Sequence, residues 1–254
     1  MKTSLMASSQ MSNMEIDNYL SVAKSKINNK KTKTFILAVF AGVFISLASV
    51  LSVVVSTTID NYSIAKILSA SVFPIGLVMV ILMKTELFTG NSLLIIPFLN
   101  KDIKLKELLK NWLLVYLGNI AGSLIITLLI VNTPLKEVIS ASFIKIANNK
   151  ISLSISSSII LGILCNFLVC LAVFLASNAK TFNEKVIVIF LPIFTFVALS
   201  FEHSVANMSY LSFGYLLDNT IKISGVLYNL LPVTIGNIIG GTLLGSAIYY
   251  LKKD

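Results

Sequence analysis

Arginine is absent from this chain, and histidine occurs once, as His203. All 20 basic residues are lysine. Without guanidinium forks there is no bidentate clamp for phosphate, so nucleic acid is a poor partner despite the net charge of +9. Charge of either sign is scarce: 12% of residues are charged, where a soluble domain carries about 25%. That is too little to cover a water-facing surface. Cys165 and Cys170 are the only cysteines and sit inside one apolar run. Their spacing is about 140° around a helix, so they do not share a face. They read as small buried hydrophobes rather than as a disulfide or a metal pair. One histidine and two separated cysteines supply no metal ligand set and imply no cofactor. A polytopic membrane enzyme would need a nucleophile and base, and the adjacent His203 and Ser204 do not make a dyad.

Apolar residues are abundant, at 56% of the chain, and the mean hydropathy is +0.89. Six apolar segments approach or exceed the length needed to cross a bilayer, about 20 residues. They are Phe35–Thr57, Ile64–Met83, Trp112–Val131, Ile151–Ala176, Val186–Leu217 and Ile223–Leu251. The second continues past a polar break into Leu87–Leu99, and the fifth is interrupted at Glu202–His203. The expected organisation is a cytoplasmic segment over 1–34, a six-helix transmembrane domain over 35–251 and a short tail over 252–254. No signal peptide is expected, because the first apolar run is too long for one. Fourteen lysines flank one side of the spans, and Lys66, Lys136, Lys145, Lys150 and Lys222 flank the other. The richer side is cytoplasmic by the positive-inside rule, which puts both termini there. Within 1–34, Ile16, Leu20, Ala23 and Ile27 recur at helical spacing, as in an amphipathic helix serving as surface anchor or gate.

The halves of the chain resemble each other. Asn111, Val115, Gly118, Asn119 and Gly122 recur as Asn229, Val233, Gly236, Asn237 and Gly240, each 118 residues later. Pro74 and Pro192 share that offset, and Glu86 and Asn91 recur as Glu202 and Asn207 after 116 residues. Three spans per half make the second half enter from the opposite side. This 3+3 inverted repeat with two broken helices is the sequence pattern of channels and transporters, which carry their substrate path at the repeat interface.

The breaks run Thr85 to Asn91 and Ser200 to Asn207. Irregular backbone at membrane depth persists only where protein or a water-filled cavity satisfies it. The half-helix N-termini created there carry partial positive charge and suit an anion. His203 either donates a hydrogen bond or a proton to that anion or is a structural histidine. Glu86 and Glu202 would repel an anion, so both are expected to be structural acids, accepting backbone N–H groups at the breaks. Lys150, ahead of the fourth segment, either raises the local anion concentration at a pore mouth or anchors the interface. No local feature separates Phe73, Leu77, Leu87 and Phe196 from other apolar residues.

The runs ELFTGN (86–91), NW-x2-VY-x-GN (111–119), CNFLVCLAVFLA (165–176), FEHSVANM (201–208) and NLLPVTIGNIIGG (229–241) resemble the signature segments of the formate/nitrite transporter family, hydrosulfide channels included. The resemblance covers the chain from about Phe35 to its end. It implies an aquaporin-like six-helix protomer, assembled as a homopentamer with one pore per protomer. It implies that Thr89 and Leu87 belong to a gating loop, with Phe73 and Leu77 beside Leu87 in a cytoplasmic constriction. It also implies that Phe196 forms the opposite constriction, that His203 is the central pore histidine with Glu202 and Asn207 as neighbours, and that Lys150 is a vestibule lysine. Lys84 departs from the small or apolar residue usual at its position; it would alter gating, strengthen anion attraction, pair with Glu86 or snorkel.

The resulting expectation is a channel in the cytoplasmic membrane for small inorganic or one-carbon anions and protons: formate or nitrite, with hydrosulfide a close second. A water or glycerol channel is the rival. It would use paired Asn-Pro-Ala boxes, and neither Asn91 nor Asn207 precedes proline.

Overall fold

The computed structural model describes residues 2–252, with side chains over 14–251, and every regular element among these residues is helical. The elements are α1 (Lys2–Ile27), α2 (Lys31–Val54), α3 (Tyr62–Val72), α4 (Ile75–Leu82), α5 (Phe88–Asn91), α6 (Ile95–Leu99), α7 (Leu105–Val131), α8 (Leu135–Ile151), α9 (Ile155–Asn178), α10 (Phe182–Ala198), α11 (Ser204–Leu217) and α12 (Ile223–Lys252). A 3₁₀ turn, Ser92–Leu94, joins α5 to α6.

Among the described residues, five stretches are long and apolar enough to span a bilayer: α2, Tyr62–Leu82 through α3 and α4, α7, α9 and Ile223–Leu251. The remaining apolar segment, the fifth in the chain, is delivered in two pieces, α10 and α11. Their outward faces carry exposed leucines, isoleucines and phenylalanines, such as Leu113, Leu117, Leu124 and Leu128 of α7. Bilayer lipid is the solvent that this surface fits.

Local chemistry sets the helix starts. Asn61 Oδ1 accepts the Ile64 N–H at 3.1 Å, and Ser154 Oγ accepts the Ser157 N–H at 3.1 Å. Thr181 and Glu184 cap each other's backbone at the start of α10. Pro74 separates α3 from α4 because it has no N–H to give.

The repeated asparagine and glycine positions now have a physical role. α2 packs along α7, and α9 along α12, at backbone-contact distance. A Cβ on Gly122 would fall on the Val39 carbonyl, and one on Gly240 on the Ile163 carbonyl. This close approach brings Asn119 and Asn237 within reach of both breaks.

Two expectations change. Residues 135–151, read from sequence as an external flank, form the 17-residue helix α8. It packs on α11 through the fully buried Phe143, whose ring centroid lies 4.1 Å from that of Phe213. The amphipathic segment near the N-terminus extends back to Lys2 as α1. Ile16, Tyr19, Leu20 and Ala23 are buried under the bundle, with Tyr19 against Phe174 of α9.

Gly122→Ala is expected to destabilise the protein by about 2–3 kcal/mol, because the obstruction is backbone that cannot rotate away. Gly225→Ala, where the nearest atom lies 3.6 Å from the new Cβ, should stay within about 0.5 kcal/mol. Equilibrium unfolding in mixed micelles checks both, and equal losses would contradict the packing argument.

Candidate functional site

Each break is closed by the same set of bonds. Lys84, at φ 52°, and Ser200, at φ 57°, turn the chain out of α4 and α10 through the left-handed region. The Thr85 N–H reaches the Val80 carbonyl at 3.0 Å, and the Phe201 N–H reaches Phe196 at 3.0 Å. The N–H of Glu86 donates to Leu37 and that of Glu202 to Leu161, both at 3.3 Å. Asn119 Oδ1 accepts the Phe88 N–H at 2.9 Å while its amide donates to the carbonyls of Ala38 and Glu86. Asn237 does the same for the second break, accepting from Ser204 at 2.8 Å and donating to Gly162 and Glu202. Backbone freed by the breaks is thus satisfied by protein, as a low-dielectric setting requires.

The buried acids have partners other than those expected. Backbone N–H groups go to the asparagines and carbonyls, while the carboxylates take side-chain donors. Glu86, 1% exposed, accepts from Lys26 Nζ at 3.0 Å and Asn91 Nδ2 at 2.7 Å. Glu202, 4% exposed, accepts from Lys150 Nζ at 2.8 Å, Asn207 Nδ2 at 2.6 Å and Asn229 Nδ2 at 3.4 Å. Asn91 and Asn207 also donate to Asn111 and Asn229 at 2.9 and 2.8 Å. The Asn207 amide is therefore spent on this network rather than offered to an anion. Lys84 is exposed and makes no ion pair with Glu86.

Lys26 was missed by sequence reasoning, although it ends α1 much as Lys150 ends α8. It lies 124 residues before Lys150, not 116 or 118, so the repeat offset does not reveal it.

A cavity of about 710 Å³ opens on the side of Lys66, Lys145 and Lys150, and His203, Phe73 and Phe196 line it. Phe73 meets Phe196 edge to face, centroids 5.8 Å apart, and Phe196 stacks on the His203 ring at 5.7 Å. Phe73 thus belongs with Phe196 at this cavity, not in the opposite constriction with Leu77 and Leu87. It precedes Leu77 by four residues, about 6 Å along a helix, enough to change level. Leu77 and Leu87 are buried, each 2% exposed, and neither lines the cavity.

Beyond the aromatic pair the two breaks touch. His203 Nε2 lies 2.9 Å from Thr89 Oγ1. His203 is also the N-cap of α11, its Nδ1 accepting the Ala206 N–H at 3.1 Å. Thr89 is held from behind, its carbonyl accepting from Asn166 Nδ2 and Cys170 Sγ. Apolar spans broken around a central polar contact, under a lysine-rimmed cavity, define a pore-type membrane protein.

The formate/nitrite transporter family profile matches residues 13–251. The formate channel FocA of Escherichia coli K12 is 32% identical, over 90% of each chain. A probable formate transporter of Methanothermobacter thermautotrophicus is 32% identical, over 91% of this chain and 94% of that protein. Among solved structures, an FNT family ion channel superposes with a TM-score of 0.84 at 26% identity, covering 95% of this chain and 98% of the other. A pentameric formate channel with formate bound superposes with a TM-score of 0.77 at 30% identity, covering 87% and 96%. The chain belongs to the formate/nitrite transporter family: it is an integral membrane channel protein and not an enzyme.

Removing one member of a buried pair strands the other charge. Lys26→Met is expected to destabilise the protein by about 3 kcal/mol, and the double variant Lys26→Met with Glu86→Gln by clearly less. A double-mutant cycle of unfolding free energies reads this directly; additive losses would mean that the pair is not coupled.

Proposed function

We propose that this chain conducts small monovalent anions of weak acids, formate foremost, with nitrite and hydrosulfide as the next candidates. The observation that carries the reading is the His203–Thr89 contact, a polar junction of both breaks directly beyond the aromatic floor of the cavity. The formate channels among its relatives support formate. The neighbour described as pentameric supports a homopentamer, and a cavity built within the single chain favours one pore per protomer. The matched bonds of the two breaks favour a 3+3 inverted repeat, and the lysine distribution favours cytoplasmic termini.

The physical problem is to move an anion past Phe73, Phe196, Leu77 and Leu87 without leaving a bare charge in an apolar passage. His203 addresses it as a hydrogen-bond donor. Its Nδ1 is committed as an acceptor to the Ala206 N–H, so the neutral ring carries its proton on Nε2, toward Thr89. An imidazolium would set Nδ1–H against the Ala206 N–H and lose the cap of α11. Of the two roles expected for His203, hydrogen bonding is therefore favoured over proton donation. Thr89 holds the Nε2 donor until an anion displaces it. Desolvation at the cavity floor raises the pKa of the conjugate acid of the anion. A proton from the bulk solution, relayed through cavity water, then lets the solute pass in nearly neutral form. Lys150 and Asn207 hold Glu202 and so keep this break in shape.

Proteoliposome uptake of formate, nitrite and hydrosulfide between pH 5 and 8 tests the reading. Flux should rise as the external pH falls, because the neutral acid becomes more abundant. His203→Phe should lower flux by about tenfold or more, the loss of a hydrogen bond to a charged group, and leave the pH trend in place. His203→Asn, which can still accept the Ala206 N–H, separates the loss of the donor from the loss of the cap. Parental flux in His203→Phe would remove the histidine from the mechanism, and no flux of any of the three anions would refute the assignment.

A further inference from the structure

The cavity is lined by five charged side chains: Asp60, Lys66, Lys145, Lys150 and Glu202. Their arrangement decides which of them an approaching anion feels. Lys150 is tied to Glu202 at 2.8 Å. At that separation the pair acts as a dipole, whose field falls off faster with distance than that of a single charge. Asp60 and Lys145 are both exposed; they have opposite signs and water screens them. Lys66 remains. It is half-buried on α3, and among the described residues it has no carboxylate within 4.0 Å. Its ammonium donates instead to the hydroxyl of Ser200 at 2.6 Å. A neutral acceptor positions the amine without cancelling its charge as a carboxylate would. Ser200 is the left-handed residue of the second break, three positions before His203. The bond therefore holds the amine beside the segment that ends at the pore histidine.

We infer that Lys66, positioned by Ser200, is the cation that concentrates anions in the outer cavity, while the charge of Lys150 is consumed in holding Glu202. This rests on the anion-channel reading above and deepens it by naming the capture residue. Lys66 acts on the arrival of the anion and not on its passage. Its loss should raise the half-saturating anion concentration and leave the maximal flux nearly unchanged.

The test is formate uptake into phosphatidylcholine proteoliposomes, which carry no net surface charge. Ionic strength is varied from about 20 mM to about 0.5 M with a bulky impermeant salt, a range over which screening of a partly buried charge becomes appreciable. Lys66→Gln and Lys66→Met should lower subsaturating flux about fivefold at low ionic strength and approach the parent at high ionic strength. Lys66→Arg should restore the parental value. Ser200→Ala, which keeps the charge, should retain most of the salt dependence. The inference is overturned if neutral variants keep the parental salt dependence. It is equally overturned if they lose maximal flux at unchanged half-saturation, which would make Lys66 a strut for the break. Absence of formate flux in the parent would refute the anion-channel reading itself, an outcome visible before any variant is compared.

Discussion

Two carboxylates withdrawn from water are the constraint on which the rest of this structure depends. An ionised group at such depth is tolerated only with a counter-charge and further hydrogen bonds. Glu86 obtains them from Lys26 and Asn91, Glu202 from Lys150 and Asn207. The two lysines come from the ends of α1 and α8, so both helices must dock on the bundle for the acids to be satisfied. The asparagines have second partners on α7 and α12, Asn111 and Asn229. Those helices can carry them because glycines let α2 meet α7 and α9 meet α12 backbone to backbone. Each step needs the one before it: close packing brings the amides, the amides hold the breaks, and the breaks deliver Thr89 and His203 to one point.

This chain of requirements explains which parts were legible in the amino-acid sequence. Asn119, Asn237 and their glycines could be read because they stand at one offset on continuous helices. The breaks could be read because polar residues interrupt otherwise apolar segments. The glutamates were expected to accept backbone N–H groups at the breaks, but their donors are side chains that lie far away along the chain: Lys26 is 60 residues from Glu86, and Lys150 is 52 from Glu202. No local spacing encodes those pairings. α8 was missed because only part of one face is buried, through Ile139, Phe143 and Ala147. Its lysines therefore looked like those of a flanking loop. Phe73 was assigned to the wrong level for a related reason: closeness to Leu77 in sequence says nothing about height along a helix. The contact with Phe196 is tertiary.

The two breaks share a scaffold but not a chemistry. Leu87 is the N-cap of α5 and makes no side-chain cap bond; His203 holds the corresponding place on α11 and caps it through Nδ1. The 116-residue offset of the breaks relates these two residues. One half thus presents an apolar side chain at the position where the other presents a donor. Capping consumes the acceptor side of the imidazole and leaves only its N–H available, whereas Leu87 is buried and offers no polar group. The near-symmetric frame is what makes the contact rigid. In the proposed function, the substitution within it is what suits the contact to a solute that arrives charged and must cross an apolar wall.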